Sequence, residues 1–261
     1  MRTCRIAPCW IPFAAFLVVG CAATATEEPP LPPASVDAER FPGFEQEVPG
    51  APSALVFVPV RIDGADVPRT FYAGATEVPW EAYDAFVFAH DEDWLASDGT
   101  PIARPSTPYI NVDRGFGHRG WPVLSVSRKG AQAFCRWLSD QTGRRFRLPT
   151  RLEWQALARA PLADDHVLET AEGRTRAVGS GAANAWGVHD AFGNVAEWVL
   201  LEGGRFALAG GSYRDARSAC GRDSLVYWSA AWNRSDPQVP KSVWWLADAP
   251  FAGFRVVCDP E

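Results

Sequence analysis

NAWGVHDAFGNVAEW, residues 184–198, is the part of the chain that orders the rest. Gly187 and Gly193 punctuate it as turns, and apolar residues between them give the loop a place in a core. Asp190 and Glu197 frame a tight Gly-Asn turn, and Val195 to Val199 reads as a short β run. A carboxylate, then bare carbonyls, then a second carboxylate is a donor pattern that suits a hard cation. Calcium takes roughly six to eight oxygens and draws many of them from loop backbone. The same residues also read as an Asx turn at Asp190 with a surface Glu197.

Working outward, RLPTRLEWQALARA lies upstream at residues 147–160, and GGSY (210–213) and GFR (253–255) lie downstream. FYAGATEVPWEAYDAF, residues 71–86, precedes them all. In this order and with these gaps, the series resembles the formylglycine-generating enzyme (sulfatase-modifying factor) family, from residue 71 to Val257. The resemblance implies an α+β, C-type-lectin-like fold that is low in regular secondary structure. It implies two helices packed on small antiparallel sheets, with long loops. It places a structural calcium ion on the Asp190 and Glu197 side chains and the Gly193 and Val195 carbonyls. Relatives often carry a second calcium loop near residues 160–183, but no residues here match it.

The family enzyme holds copper(I) between two cysteines placed just after GGSY. Counted from Tyr213, Cys220 falls on the second of them, and Asp215 stands where the first belongs. Copper(I) is soft and selects thiolates, so a carboxylate there suits it poorly and copper is not expected. The tryptophan of the family's GNxWEW pattern is Ala196 here, and SLVYWSAAWN replaces an arginine-rich segment. All these departures surround the pocket formed by Ser212, Tyr213 and Asp215, with Cys220 as its candidate catalytic thiol. The resemblance also implies a disulfide between Cys135 and Cys258, with Cys220–Cys258 as a competing pair.

Composition sets the outer limits. The chain has 261 residues, 47% hydrophobic and 21% charged, which suits one globular domain with tails. Its 22 glycines, 22 prolines and 12 tryptophans, beside few lysines, point to a loop-rich α+β domain rather than a helical bundle. Net charge is −6, and no basic patch suggests a nucleic-acid partner. Residues 1–20 have a short basic start and an apolar run from Trp10 to Val19, too short to span a membrane, and read as a lipoprotein signal peptide. The run ends in LVVGC, which is similar to a bacterial lipobox, so Cys21 is the expected lipidation site. Ala22 after it points to the outer membrane. Residues 21–50 are Pro-rich and are expected to form an extended tether, with the domain over 51–261.

Within the domain, residues 54–62 read as an edge strand, because Pro59 cannot donate to a ladder. A helix is expected from Pro79 to about His90, with Tyr83 and Phe86 inward. Ser127 caps a second helix over 128–141, with Phe134, Trp137 and Leu138 inward and Gly143 as the stop. Thr150 and Glu153 form a capping box for a third, with Leu152, Trp154 and Leu157 inward. AGFRVV closes the domain as one strand. Trp228, Trp232, Trp244 and Trp245 read equally as a stacking platform and as core. The whole describes a membrane-tethered binding or scaffold protein with a degenerate active site. Its ligand would be a peptide, a glycan or an envelope protein. The alternative is an oxidase that makes formylglycine from a sulfatase cysteine.

Overall fold

The computed structural model describes residues 40–62, 69–88, 105–108, 111–159 and 165–260. The lipobox, Cys21 and the first part of the tether lie outside them. All described residues belong to one unit, Pro33–Glu261.

The chain opens with β1 (Phe44–Gln46), β2 (Leu55–Ile62) and β3 (Arg69–Gly74), followed by α1 (Trp80–Phe88). Next come α2 (Arg128–Thr142), β4 (Phe146–Arg147) and α3 (Arg151–Leu157). The last third holds β5 (Ala196–Leu200), β6 (Phe206–Ala209), β7 (Leu225–Tyr227), β8 (Ala252–Gly253) and β9 (Val257–Cys258). One sheet runs β1-β2-β3-β9-β4 and is antiparallel throughout. The other runs β7-β6-β5-β8, with β8 parallel to β5.

Period-two alternation buries both faces of the first sheet. Tyr72 packs into the larger core cluster, while Phe71 and Ala73 join the smaller one with Trp154 and Leu157. The larger cluster is aromatic. Tyr83 and Phe86 of α1 meet Phe134 of α2 at ring-centroid distances of 5.8 Å each. Each such ring contributes roughly 1.5–3 kcal/mol by leaving water.

Local signals place the helices. Ser127 accepts from the Gly130 amide, and Gly143 ends α2 at φ 74. The capping box forms in full: Thr150 Oγ1 accepts from the Glu153 amide at 3.2 Å, and Glu153 Oε2 from the Thr150 amide at 2.9 Å.

Four expectations are corrected. The tether does not run to residue 50: β1 pairs with β2, and Phe44 stacks on Phe57 at 4.9 Å. Its few apolar residues suffice because the sheet supplies the rest of the burial. Pro59 is not in an edge strand, since β1 and β3 flank β2, but the pairing with β1 ends at Phe57, so no ladder bond to β1 calls for a donor at Pro59. Leu152 is 66% exposed. It lies two residues before buried Trp154, roughly 200° around the helix. AGFRVV is two strands, with β8 in one sheet and β9 in the other. Phe254, Arg255 and Val256 cross between them, all buried.

The expected Cys135–Cys258 disulfide and its competitor concern three cysteines that this structure describes. Cys135, Cys220 and Cys258 are buried free thiols. The Cys258 thiol turns to the Asp259 carbonyl at 3.4 Å instead of to either partner.

Candidate functional site

The 184–198 loop builds a buried charge cluster. Asp190 and Asn194 both take positive φ, 53° and 47°, which turns the loop sharply inward. Glu197 follows on β5, and Arg255 reaches it from the crossing between the two sheets. Both side chains are sealed, at 1% and 0% exposure. Arg255 Nη2 donates to Glu197 Oε1 at 2.8 Å, and Trp154 Nε1 donates to Oε2 at 2.8 Å. Arg255 also donates to the Gly74 and His189 carbonyls at 2.8 and 2.7 Å. The guanidinium thereby ties the end of β3, the 184–198 loop and β5 together.

Asp190 is engaged in the same way. Arg176 donates to Oδ1 through Nε at 2.9 Å and Nη2 at 2.6 Å, and the Gly179 amide donates to Oδ2 at 3.0 Å. Asn194 Oδ1 accepts from the Arg176 amide, and its Nδ2 donates to Glu77 Oε1 at 3.0 Å. Glu77 is fully buried, and its Oε2 has no hydrogen-bond partner among the described residues. Burial, then the Asp190 charge, push its carboxyl well above the usual range; Arg255 acts against them.

The calcium expectation does not fit this geometry. A cation at Asp190 and Glu197 would have to displace Arg176 from one and Arg255 and Trp154 from the other. Among the described residues, no group of three or more His, Cys, Asp or Glu side chains is arranged to hold a metal ion. Here Arg176 and Arg255 meet the two carboxylates that the family resemblance assigned to calcium.

The second candidate corner follows β6. Gly210 and Gly211 take φ 90 and 75. A Cβ on Gly211 would run into the Cys220 sulfur, so glycine there makes room for the thiol. Ser212 is fully buried, and its amide and hydroxyl both donate to Asp215 Oδ2, at 2.9 and 2.7 Å. Tyr213 is buried against Phe116, their ring centroids 5.5 Å apart.

Structure thus brings Ser212, Asp215 and Cys220 together as the sequence predicts, but the chemistry is quiet. The Cys220 sulfur faces the Asp215 carbonyl at 3.8 Å. Burial, then the charges of Asp215, Asp165 and Glu169, push its thiol up to about 11. Reactive cysteines sit in electropositive settings that stabilise the thiolate. This one has acids on several sides and is protonated at neutral pH. The other described cysteines, Cys135 and Cys258, belong to the larger core cluster, which Cys220 does not join. The donor set does not fit copper(I).

The four tryptophans divide between the two readings. Trp232 and Trp245 are buried, Trp244 is partly buried, and Trp228 is 61% exposed. Trp228 lies at the mouth of a cavity of about 680 Å³ between the start of α2 and the second sheet. Arg128, Lys129, Arg205, Phe206 and Tyr227 also line it. Sequence reading missed these five, because they come from three separate elements and form no motif.

Two curled sheets with three helices and long loops, closing on the Gly-Gly-Ser-Tyr corner, define a C-type-lectin-like domain of the formylglycine-generating-enzyme type. The chain belongs to the sulfatase-modifying factor enzyme 1-like family, whose domain it matches over residues 63–260. Solved structures repeat the fold. Treponema denticola variable protein 1 is 18% identical, with a TM-score of 0.56, over 84% of this chain and 99% of that one. PvdO from Pseudomonas aeruginosa is 19% identical, with a TM-score of 0.53, over 76% of this chain and 85% of its own. CarF is 20% identical, with a TM-score of 0.53, over 79% and 100%. At such identities the likeness is one of fold. Curated protein sequences gave no match.

Proposed function

We propose that this protein is a lipid-anchored binding or scaffold protein of the bacterial cell envelope, carrying a formylglycine-generating-enzyme-like domain whose copper corner is degenerate. One observation carries the reading. Asp215, at the first ligand position, is locked to Ser212, and Cys220 is left as a lone protonated thiol. A linear copper(I) site needs two thiolates aimed at one point, and this corner offers one thiol and one hydrogen-bonded carboxylate. Shared fold does not carry a grafted site with it.

The lipobox at Cys21 supports anchoring, with the outer membrane as the expected location. The partner would be a peptide, a glycan or another envelope protein. Purified protein is incubated with copper, oxygen and a CxPxR peptide, and the mass change of thiol-to-aldehyde conversion is followed. No turnover above a Cys220→Ala control is expected. Turnover well above it would overturn the reading in favour of a formylglycine-generating oxidase. Separately, Cys21→Ala should move the protein out of the membrane fraction or leave an unprocessed precursor.

A further inference from the structure

The cavity beside α2 has an apolar floor and a cationic rim. Trp198, Phe206 and Leu246 form much of the floor. Its polar atoms are already engaged: Trp198 Nε1 donates to the Val126 carbonyl at 2.9 Å. Asn233 Nδ2 donates to Asp236 and to the Ser242 carbonyl, and its Oδ1 accepts from the Ala247 amide. Ser242 Oγ accepts from the Trp244 and Trp245 amides.

The rim is different. Arg128, Lys129 and Arg205 are exposed, and none has a carboxylate within ion-pair distance among the described residues. Two of them are held in place over rings, Arg128 over Phe206 at 4.9 Å and Lys129 over Trp244 at 4.7 Å. Tyr227 and Trp228 stand beside them, 56% and 61% exposed. Three cations with no ion-pair partner among the described residues, on a chain of net charge −6, mark one surface for an anionic partner. A floor without spare donors or acceptors marks it for an apolar group.

We propose that this cavity binds an acidic peptide segment, seating one large apolar side chain on the Trp198–Phe206–Leu246 floor beneath carboxylates paired with Arg128, Lys129 and Arg205. The inference rests on the binding reading above. A volume of about 680 Å³ is within the usual range for a ligand pocket and accommodates an aromatic side chain with its neighbours. A neutral saccharide fits worse, because its hydroxyls would meet a floor whose polar atoms are already paired.

The test uses the purified mature chain and a short fluorescein-labelled peptide of Asp and Glu residues around one Trp, read by fluorescence polarisation at low salt. Saturable binding is expected, weakened by salt. Arg128→Glu, Lys129→Glu and Arg205→Glu should each weaken it about tenfold or more, the loss of roughly one exposed-to-buried ion pair. Each is an exposed position, so melting temperatures should stay near the parent's. Replacing the peptide's Trp by Ala, or Trp228→Ala in the protein, should weaken binding without changing its salt dependence. No saturable binding would overturn the proposal. So would charge reversals that leave affinity unchanged, or equal affinity for polygalacturonate, which would point to an acidic glycan. The copper assay reads Cys220 and not this cavity. Turnover with intact peptide binding would therefore sink the binding-only reading alone, and absent binding without turnover would sink this proposal alone.

Discussion

At the scale of single residues, the fold turns on how a few buried charges are matched. Glu197 and Arg255 are sealed from water and satisfy each other. Removing one partner strands the other charge in a low dielectric, which typically costs 3–5 kcal/mol. Glu197→Ala should therefore lower stability by about 3–5 kcal/mol in urea denaturation. The double change Glu197→Leu with Arg255→Met should recover much of that loss, since it strands no charge. Equal losses in both would show that the ion pair is incidental and that packing sets the cost. Glu77 adds a pH dependence. Its folded-state pKa is raised, first by burial and then by Asp190. Its contribution is complete below the ordinary glutamate value of about 4.3 and is lost as pH rises through the folded value. Glu77→Gln stays neutral at every pH. Against the parent, its stability should decline less on going from acid to neutral pH, and identical profiles would refute the shift. Asp190 and Glu197 were visible in the sequence as paired carboxylates. Which cation meets them was not, because a carboxylate's spacing looks the same whether calcium or arginine will meet it.

At the scale of elements, legibility followed the range of the signal. Caps are local, so Ser127, Gly143 and the Thr150–Glu153 box marked α2 and α3 correctly. β1 and the split of AGFRVV into β8 and β9 depend on which sheet each short segment joins, and neither has a local signature. Leu152 misled because its hydrophobicity suggested burial, while its angle around α3 faces solvent. Glu153 shows a local device serving a distant contact. Besides the cap, it accepts from Arg147 at 2.6 and 2.7 Å, and Arg147 also grips Asp259 just after β9. Its own carboxyl is held below the ordinary range: burial pushes up, but Arg147 and the Thr150 amide outweigh it. Thr150→Ala should cost about 1 kcal/mol, the usual value of a helix cap. Glu153→Ala should cost clearly more, because it also frees the β4–β9 end of the first sheet. Thermal unfolding of the two variants compares them directly. Equal shifts would mean that Glu153 acts as a cap and nothing else.

For the molecule as a whole, the question is whether it needs a metal to hold its loops. The loops are long, and the order of the 165–198 region rests on Asp190, Asn194 and Glu197. In a calcium-dependent arrangement these oxygens would be left repelling one another without the ion. Here Arg176 and Arg255 supply positive charge from within the chain, and the amide of Gly179 and the indole of Trp154 fill remaining acceptor positions. An ion that binds only the folded state stabilises it by RT ln(1 + [L]/Kd), which vanishes when no site has appreciable affinity. Excess chelator should therefore leave the melting temperature unchanged, and added calcium should not raise it. Arg176→Ala should be destabilising in the absence of calcium and should become the one variant that calcium partly rescues, because it leaves Asp190 uncompensated beside Glu77. A melting temperature that falls in chelator would show that the arginines yield to a metal, and that the spacing of Asp190 and Glu197 had been read correctly as a calcium site.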